Sequence, residues 1–322
     1  MMRQAGRYLP EYRKIRESKS TLEMMKDPAT ACEVTLQPID RVGVDAAILY
    51  SDILMLPEAM GLKLDFVKEV GPVFERPVQT IKDVNDLKDD AARCPFVYET
   101  VRLIKKKLPS DFPLLGFAGA PFTVGAYMVG GDGSYDGNRI KRLAYEDLPT
   151  FRKLMERLTL ATIDYLSRQI EAGVDAVQLF DTWGGTLSAN EYTSLALPYT
   201  REIFKAIHQL KTPSIFYIKG GGHLFEKMIE AGPEVVSIDW RLPLAEAKRI
   251  SNGRVAIQGN LDPAQLYAPV EKIEAAVEEM IGDWGQGPGY IVNLGHGILE
   301  DIPVPHAQAF VAAAKRLGPR CT

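Results

Sequence analysis

The stretch YEDLPTFRKLMERLTLATIDYLSRQIEAGVDAVQLF (145–180) decides the fold of this 322-residue chain. Up to Gly173 its apolar residues recur every three or four positions, which predicts a long amphipathic helix that ends at a glycine. The apolar run VDAVQLF (174–180) follows directly and predicts a strand covered on both faces. A helix followed without a linker by a buried strand is typical of α/β proteins with a parallel sheet.

The same alternation extends in both directions from this stretch. Six further apolar runs predict strands of the same sheet: VDAAILY (44–50), PLLGFAG (113–119), PSIFYIK (213–219), VVSID (235–239), VAIQGN (255–260) and GYIVNL (289–294). Seven strands that alternate with helices favour a closed (β/α)8 TIM-type barrel over an open sheet. The eighth strand has no clear candidate, because AMGLKLDFVKEVGPVFER (59–76) is more typical of an inserted hairpin with VGP (70–72) at its turn.

The composition, 46% hydrophobic and 25% charged, excludes a disordered chain, a collagen-like repeat and a disulfide scaffold. No apolar run reaches the roughly 18–20 residues that cross a bilayer, and no secretory signal is visible. The cysteines Cys32, Cys94 and Cys321 are scattered, so we expect reduced thiols and a cytoplasmic protein. No linker rich in Pro, Gly or Ser divides residues 1–322, which predicts a single domain.

The net charge of −4 conceals a basic N-terminal segment. Residues 1–19 hold six basic and two acidic side chains, whereas the remainder is acidic. No long basic stripe is present, so a nucleic-acid-binding surface is not expected. A basic patch of this size suits a small polyanion. Arg3 and Arg7 lie beside Gly6 and ahead of Pro10, where helix propensity is weak, so we expect both on a loop.

Polar residues follow the apolar body of each predicted strand. Because the active site of a (β/α)8 barrel lies at the carboxyl ends of its strands, these residues are expected to converge. They are Ser51, Asp52, 119–121, Asp181, Thr182, Lys219, Asp239, 258–262 and 293–296. Asp52 is either a helix cap or a partly buried carboxylate, which needs cations or hydrogen-bond donors around it. His296 lies between two glycines, which allow a ligand to approach closely.

Residue spacing argues against several common kinds of site. No two histidines have the spacing of a zinc site, and no nucleophile elbow is present. The glycine-rich segments GGDGSYDGN (130–138) and KGGGH (219–223) lack the spacing of a dinucleotide-binding loop or a P-loop.

Six blocks of the sequence resemble the uroporphyrinogen decarboxylase family, in that family's order. They are MRQAGRYLPEYRKIR (2–16), YSDIL (50–54), GFAGAPFTVGAYMVGG (116–131), QLFDTWGG (178–185), QGNLDP (258–263) and NLGHGI (293–298). The blocks span nearly the whole chain, and the first together with the others is very specific. Thr182 stands where many relatives have Ser, a change that keeps the hydroxyl.

The resemblance implies a (β/α)8 barrel, a homodimer, and no metal or organic cofactor. It also implies a carboxy-lyase that converts the four acetate arms of uroporphyrinogen III to methyl groups, giving coproporphyrinogen III in haem biosynthesis. The residues expected to bind substrate are Arg3, Gln4, Ala5, Gly6, Arg7, Asp52, Tyr127, Thr182 and His296.

The chemistry of the decarboxylation suggests a role for the arginines and for Asp52. Arg3 and Arg7 would pair with carboxylates of the octa-acid substrate and take part in catalysis. Asp52 would accept pyrrole N–H groups and stabilise the protonated ring while CO2 leaves. The proton comes from Arg3, from a substrate carboxyl or from water, and the sequence does not decide among them.

The remaining expected contacts are less specific. Tyr127 and Thr182 would bind carboxylates, and His296 would bind a carboxylate arm. Three phenylalanines would either wall the site or only pack in the core: Phe117, Phe122 and Phe180.

Two other functions compete with decarboxylation. A zinc-dependent corrinoid or thiol methyltransferase on a related barrel needs clustered Cys and His, which the chain lacks. A non-catalytic tetrapyrrole-binding protein would have lost some of the polar positions, and all of them are filled here.

Overall fold

The computed structural model describes residues 2–67, 70–88, 93–131 and 137–318. Nine strands lie in this part of the chain: β1 Ala47–Ile48, β2 Leu64–Val67, β3 Gly71–Phe74, β4 Leu114–Gly119, β5 Ala176–Phe180, β6 Ser214–Tyr217, β7 Val235–Ser237, β8 Ala256–Leu261 and β9 Tyr290–Leu294. Seven of them form one parallel sheet in the order β1-β4-β5-β6-β7-β8-β9. All seven predicted strands are thereby confirmed.

Helices surround this sheet. The described residues form α1 Pro10–Arg16, α2 Thr21–Lys26, α3 Pro28–Val42, α4 Met55–Ala59, α5 Ile81–Asp86, α6 Pro95–Lys107, α7 Pro121–Gly130, α8 Asn138–Glu146, α9 Leu148–Ala172, α10 Ala189–Leu195, α11 Leu197–Gln209, α12 Phe225–Glu230, α13 Leu244–Ser251, α14 Val270–Trp284 and α15 Val304–Leu317. Contacts run from α3 through α6, α9, α11, α10, α12, α13, α14 and α15, and from α15 back to α3. This closed ring of helices confirms the TIM-type α/β architecture.

The sheet has an opening between its edge strands, β1 and β9, and in the described residues no eighth strand fills it. The N-terminal segment bridges the two sides instead. The backbone oxygen of Met2 accepts a hydrogen bond from Ile298 N (3.1 Å), and Gln4 Nε2 donates to Ala46 O (3.0 Å). The segment that carries Arg3 is therefore fixed between β1 and the chain that follows β9.

The long helix and the strand that follows it form as the sequence predicts. Asp147 caps α9 by accepting from Thr150 N (3.2 Å), and Gly173 ends it with a φ of +117°, a conformation that favours glycine. The buried Gln169 side chain bonds both the N–H and the oxygen of Phe117, at 3.0 and 2.9 Å. A Cβ on Gly116 would lie 2.4 Å from Gln169 Oε1, so a glycine at this position lets α9 approach β4.

The predicted hairpin within 59–76 is also confirmed. Strands β2 and β3 pair antiparallel, with Val67 opposite Gly71 and Phe66 opposite Pro72. Gly71 and Pro72 belong to β3, so the prediction that VGP (70–72) forms the turn is wrong for these two residues. Phe74 N donates to Gly131 O (3.1 Å), which joins the hairpin to the end of α7.

One hydrophobic core cluster extends through the described residues and contains the buried thiols Cys32 and Cys94. Cys321 lies outside those residues, as does most of the glycine-rich segment 130–138. Within them, no helix combines the length and the apolar character that crossing a membrane requires.

Candidate active site

A cavity of about 370 Å3 opens at the carboxyl ends of β1, β4 and β5. Its lining residues come from the N-terminal segment, from several strand ends and from the hairpin: Met2, Arg3, Gln4, Ala5, Ile48, Leu49, Tyr50, Ser51, Asp52, Ile53, Leu54, Pro72, Phe117, Tyr127, Phe180, Thr182, His296 and Gly297. The position at the strand ends is that of TIM-barrel active sites. Seven of the residues predicted to bind substrate meet here.

The N-terminal segment is held in place by its own contacts. Gln4 is buried, and its backbone oxygen accepts a hydrogen bond from the Tyr8 hydroxyl (2.8 Å). Arg3 adopts a φ of +55°, which is uncommon for a residue with a side chain. A Cβ on Gly297 would lie 2.5 Å from Arg3 Cδ, so this glycine gives the arginine side chain its room. The fixed segment delivers one guanidinium to the cavity.

Arg7 and Gly6 are not among the lining residues. Arg7 Nη1 pairs with Glu300 Oε2 (2.5 Å) at the surface, and both side chains are more than 60% exposed. The oxygen of Gly6 accepts from Leu9 N (3.0 Å) just ahead of α1. The structure therefore separates the two arginines into one at the cavity and one at the outer surface.

Asp52 borders the cavity and also supports the chain that leads into α4. Its Oδ1 accepts a hydrogen bond from Leu54 N (2.9 Å), and its backbone oxygen accepts from Met55 N (3.2 Å). The helix-cap interpretation is wrong, because the N-cap of α4 is Leu54 and no side chain caps this helix. Asp52 instead closes a local turn ahead of α4 and lines the cavity. Burial raises the pKa of Asp52, while the Leu54 N–H and the charge of Arg3 oppose that shift.

Tyr127 on α7 and Thr182 after β5 both line the cavity. The Tyr127 ring meets the Trp183 ring edge to face, with centroids 6.2 Å apart. Burial raises the pKa of Tyr127, and the nearby charge of Asp52 adds to the effect. At neutral pH Tyr127 therefore keeps its proton and is able to donate a hydrogen bond to an anion.

The neighbouring Asp181 is fully enclosed and does not line the cavity. Its Oδ1 accepts from Thr123 Oγ1 (2.6 Å), and the same oxygen of Thr123 accepts from Trp183 N (2.9 Å). Burial raises the pKa of Asp181 to about 6, against the hydrogen bonds from Thr123. This network fixes the backbone that presents Thr182 to the cavity.

His296 lines the side of the cavity near β6 and β9. Its ring stacks on Tyr217 with an interplanar angle of 12°, and Nδ1 lies 3.1 Å from the Tyr217 hydroxyl. Burial lowers the pKa of His296 to about 4, and the positive charge of Arg3 contributes. His296 is therefore neutral at pH 7 in the empty site.

The apolar wall is made by two of the three candidate phenylalanines. Phe117 and Phe180 line the cavity and contact each other edge to face at 5.7 Å, whereas Phe122 is buried in the core. Pro72 was not predicted as a site residue, but the hairpin brings it to the cavity. No short-range pattern signals that contact, because it depends on how the hairpin folds onto the barrel.

Asp239 and its partner Arg241 are close enough to affect His296 but do not line the cavity. The buried Asp239 accepts from Gly220 N and from Arg241 Nη1, both at 2.6 Å. Lys219 and Arg241 add to the positive potential at His296. Within the described residues, no group of three or more His, Cys, Asp or Glu is placed to hold a metal ion.

Comparison with known proteins gives one family. The family model described as uroporphyrinogen decarboxylase (URO-D) matches residues 1–317. The uroporphyrinogen decarboxylase of Trichlorobacter lovleyi is 47% identical over 322 residues, covering 99% of this chain and 94% of the relative. That of Geobacter metallireducens is 47% identical over 320 residues, with the same coverage.

The fold is also similar to that of two solved structures that share less of the sequence. A methyltransferase from Methanosarcina mazei superposes with a TM-score of 0.76 at 20% identity, over 91% of this chain and 87% of its own. A B12-independent methionine synthase from Shewanella sp. W3-18-1 has a TM-score of 0.60 at 11% identity, over 92% of this chain and 90% of its own. At such identities the likeness extends to the fold alone.

Proposed function

The chain belongs to the uroporphyrinogen decarboxylase family, and from that premise we propose which of its residues carry the reaction. The protein is a carboxy-lyase of tetrapyrrole biosynthesis that removes CO2 from the four acetate arms of uroporphyrinogen III. The observation that carries the proposal is that Arg3 and Asp52, a cation and an anion, border the same cavity at the strand ends.

Arg3 binds the substrate through its carboxylates. A guanidinium stays charged at every physiological pH and pairs with a carboxylate through two parallel hydrogen bonds. The hydrogen bond of Gln4 fixes the chain next to Arg3, and Gly297 leaves room for the Arg3 side chain at the cavity. Arg7 is assigned to the rim, where it reaches a carboxylate by exchanging its pair with Glu300.

Asp52 provides the charge that the reaction needs. Protonation of a pyrrole gives a cationic ring, and the electron pair of the breaking C–C bond flows into that ring as CO2 departs. The exocyclic carbon then takes a proton and becomes a methyl group, while the ring returns its own proton. Each decarboxylation thus consumes one proton and releases one CO2. A carboxylate next to the pyrrole nitrogens stabilises the cation through preorganised electrostatics.

Pyrrole N–H groups also counteract the effect of burial on the charge of Asp52. Burial disfavours its anionic form in the empty site. Hydrogen bonds donated to a carboxylate favour that form, so N–H groups of the macrocycle restore the charge when the substrate binds. The anion and the cation that it stabilises are then assembled in the same complex.

The other lining residues orient the substrate. Tyr127 and Thr182 donate hydrogen bonds to carboxylate arms, and the backbone of Gln4, Ala5 and Gly6 supports the binding segment. Phe117 and Phe180 cover the apolar faces of the macrocycle and exclude water, which strengthens every charge interaction in the site. No step in this account requires a metal or an organic cofactor. The homodimer implied by the family resemblance and the cytoplasmic location expected from the scattered cysteines belong to the same proposal, and sedimentation and cell fractionation measure them.

An anaerobic assay with uroporphyrinogen III tests the proposal. Chromatography of the oxidised products is expected to show species with seven, six, five and finally four carboxyl groups. Binding of the substrate without any loss of CO2 would favour a carrier protein. Zinc bound in a one-to-one ratio, together with methyl transfer to a thiol, would favour the methyltransferase alternative.

A further inference from the structure

Tyr217 and His296 form a contact that the reaction scheme above does not use. Tyr217 is fully buried at the end of β6, and its hydroxyl lies 2.9 Å from the oxygen of Gly295 and 3.1 Å from Nδ1 of His296. The two rings stack with their planes 12° apart. The hydroxyl is therefore in hydrogen-bond contact with two groups at once, although it has one proton to donate.

Counting protons assigns the donors. A carbonyl oxygen only accepts, so the tyrosine proton lies on the bond to Gly295 O. The remaining contact, between the tyrosine oxygen and Nδ1, then needs a proton from the imidazole. A neutral imidazole carries a single N–H, and this arrangement places it on Nδ1.

The second ring nitrogen is left without a proton and without a protein partner. His296 is partly exposed and lines the cavity, and in the described residues nothing hydrogen-bonds its Nε2. The charges around the ring favour the neutral form, because Arg3, Lys219 and Arg241 outnumber Asp239. A bare nitrogen acts as a hydrogen-bond acceptor.

We propose that Tyr217 is a positioning residue that holds His296 as the Nδ1–H tautomer, so that Nε2 accepts a hydrogen bond from the bound substrate. An ionised carboxylate also only accepts, and it cannot pair with a bare Nε2. The partner of His296 is therefore a donor, and we assign it to a pyrrole N–H, which keeps its proton at neutral pH whereas a carboxyl arm is ionised. This refines the expectation that His296 binds a carboxylate arm. The identity of the ligand rests on the proposed function, whereas the tautomer does not.

Nitrogen NMR of the free protein tests the tautomer directly. The chain has four histidines, so a sample labelled with 15N-histidine gives four sets of ring-nitrogen resonances. The set that disappears in His296→Gln belongs to His296, and its chemical shifts show which nitrogen carries the proton. At pH 7.5 we expect the Nδ1–H pattern for His296. Tyr217→Phe keeps the stacked ring and removes the hydroxyl, and it is expected to shift His296 toward the Nε2–H pattern.

Tyr290→Phe is the matched control. Its hydroxyl also donates to a glycine oxygen, Gly259 O at 2.8 Å, but Tyr290 lies at the opposite end of β9 from His296. The control should leave the His296 pattern unchanged. An Nε2–H pattern in the wild-type protein, or an identical pattern in Tyr217→Phe, would overturn the assignment of the tautomer, whatever the enzyme's activity.

The ligand is tested separately with coproporphyrinogen III held under reducing, anaerobic conditions. We expect the Nε2 resonance of His296 to move while the ring stays neutral, as for an acceptor that gains a donor. A doubly protonated ring in the complex would indicate pairing with a carboxylate and would overturn the proposed partner. Absence of any coproporphyrinogen binding would contradict the proposed function and leave the tautomer result intact.

Discussion

Asp52 and Asp181 follow apolar strands at the same end of the sheet, and burial raises the pKa of both. Their surroundings differ. Asp52 borders the cavity, near the charge of Arg3, whereas Asp181 is enclosed and accepts the hydroxyl of Thr123. An aspartate after a strand is therefore a candidate catalytic group only where the fold leaves it open to a ligand.

The raised pKa also has a different energetic consequence at each of the two aspartates. The burial of Asp181 is complete in the folded protein, and ligand binding does not relieve it, so its raised pKa is a matter of stability. In the mechanism proposed for Asp52, its burial is coupled to the substrate, whose N–H groups lower its pKa again on binding. We therefore propose that Asp181 affects folding and that Asp52 affects catalysis.

The largest effect is expected from Asp52→Asn. Removal of the negative charge leaves the pyrrolium cation without its counter-charge, and loss of one preorganised electrostatic group lowers kcat by about 10²- to 10³-fold. The measurement is the initial rate of CO2 loss from uroporphyrinogen III under anaerobic conditions. Urea unfolding should show that the variant is folded, because Asn keeps the acceptor for Leu54 N.

Asp181→Asn is the matched control for this experiment, since it makes the same chemical change at the enclosed site. Its kcat should stay within about threefold of the wild-type value, as expected for a group that does not touch the substrate. Equal losses of kcat in the two variants would contradict the assignment of catalysis to Asp52 and not to Asp181. Full activity of Asp52→Asn would exclude Asp52 from the mechanism.

The second prediction concerns the pH dependence of stability. The pKa of Asp181 rises from 3.8 to about 6 on folding, so between these values the folded protein binds more protons than the unfolded chain. Its contribution to stability is therefore present at low pH and decreases as the pH rises through this window. The shift corresponds to a loss of up to about 3 kcal/mol.

Asn does not titrate, so the free energy of unfolding of Asp181→Asn minus that of the wild type should increase from pH 4 to pH 7. Urea titrations at four pH values measure it, and the other groups of the protein cancel in the difference. Parallel curves for the two proteins would show that Asp181 has the same pKa in both states.

The sequence predicts the strands of the barrel better than it predicts which of the two aspartates lines the cavity. Strands and helices follow from local hydrophobic patterns, which is why all seven parallel strands were identified. No clear eighth strand was predicted, and in the described residues none is present. A segment without a strand pattern bridges that position, held by a hydrogen bond from Ile298 N to Met2 O and one from Gln4 Nε2 to Ala46 O. The cavity lining depends on long-range placement, so a run ending in Asp cannot reveal which carboxylate is enclosed.

The N-terminal arginines illustrate the same limit. Spacing and charge make Arg3 and Arg7 equivalent in the sequence, but Arg3 lines the cavity and Arg7 pairs with Glu300 at the surface. The backbone at Arg3, with its positive φ, creates this difference, and nothing in the residue types signals it.

The third prediction separates these two arginines. Arg3→Ala should raise KM by about tenfold or more, since charge-assisted hydrogen bonds contribute roughly 1.5–3 kcal/mol. Arg7→Ala should raise it by at most about fivefold, because exposed ion pairs contribute about 0–1 kcal/mol. Steady-state kinetics with uroporphyrinogen III measures both. Glu300→Gln, which frees Arg7, should lower KM slightly if Arg7 reaches the substrate, and a larger effect at Arg7 than at Arg3 would reverse the assignment.

The smallest effect is expected from Gly297→Ala, which acts on Arg3 from the side. The new Cβ would lie 2.5 Å from Cδ and 2.7 Å from Cγ of Arg3, so the arginine has to leave its position. An off-rotamer side chain costs about 0.5–1.5 kcal/mol, and KM should rise about two- to tenfold with little change in kcat.

Gly282→Ala, on α14 with open space around its Cβ, is the control and should leave KM unchanged. Because the effect passes through Arg3, Gly297→Ala should add nothing to Arg3→Ala, and additive changes in KM would mean that the glycine contacts the substrate itself.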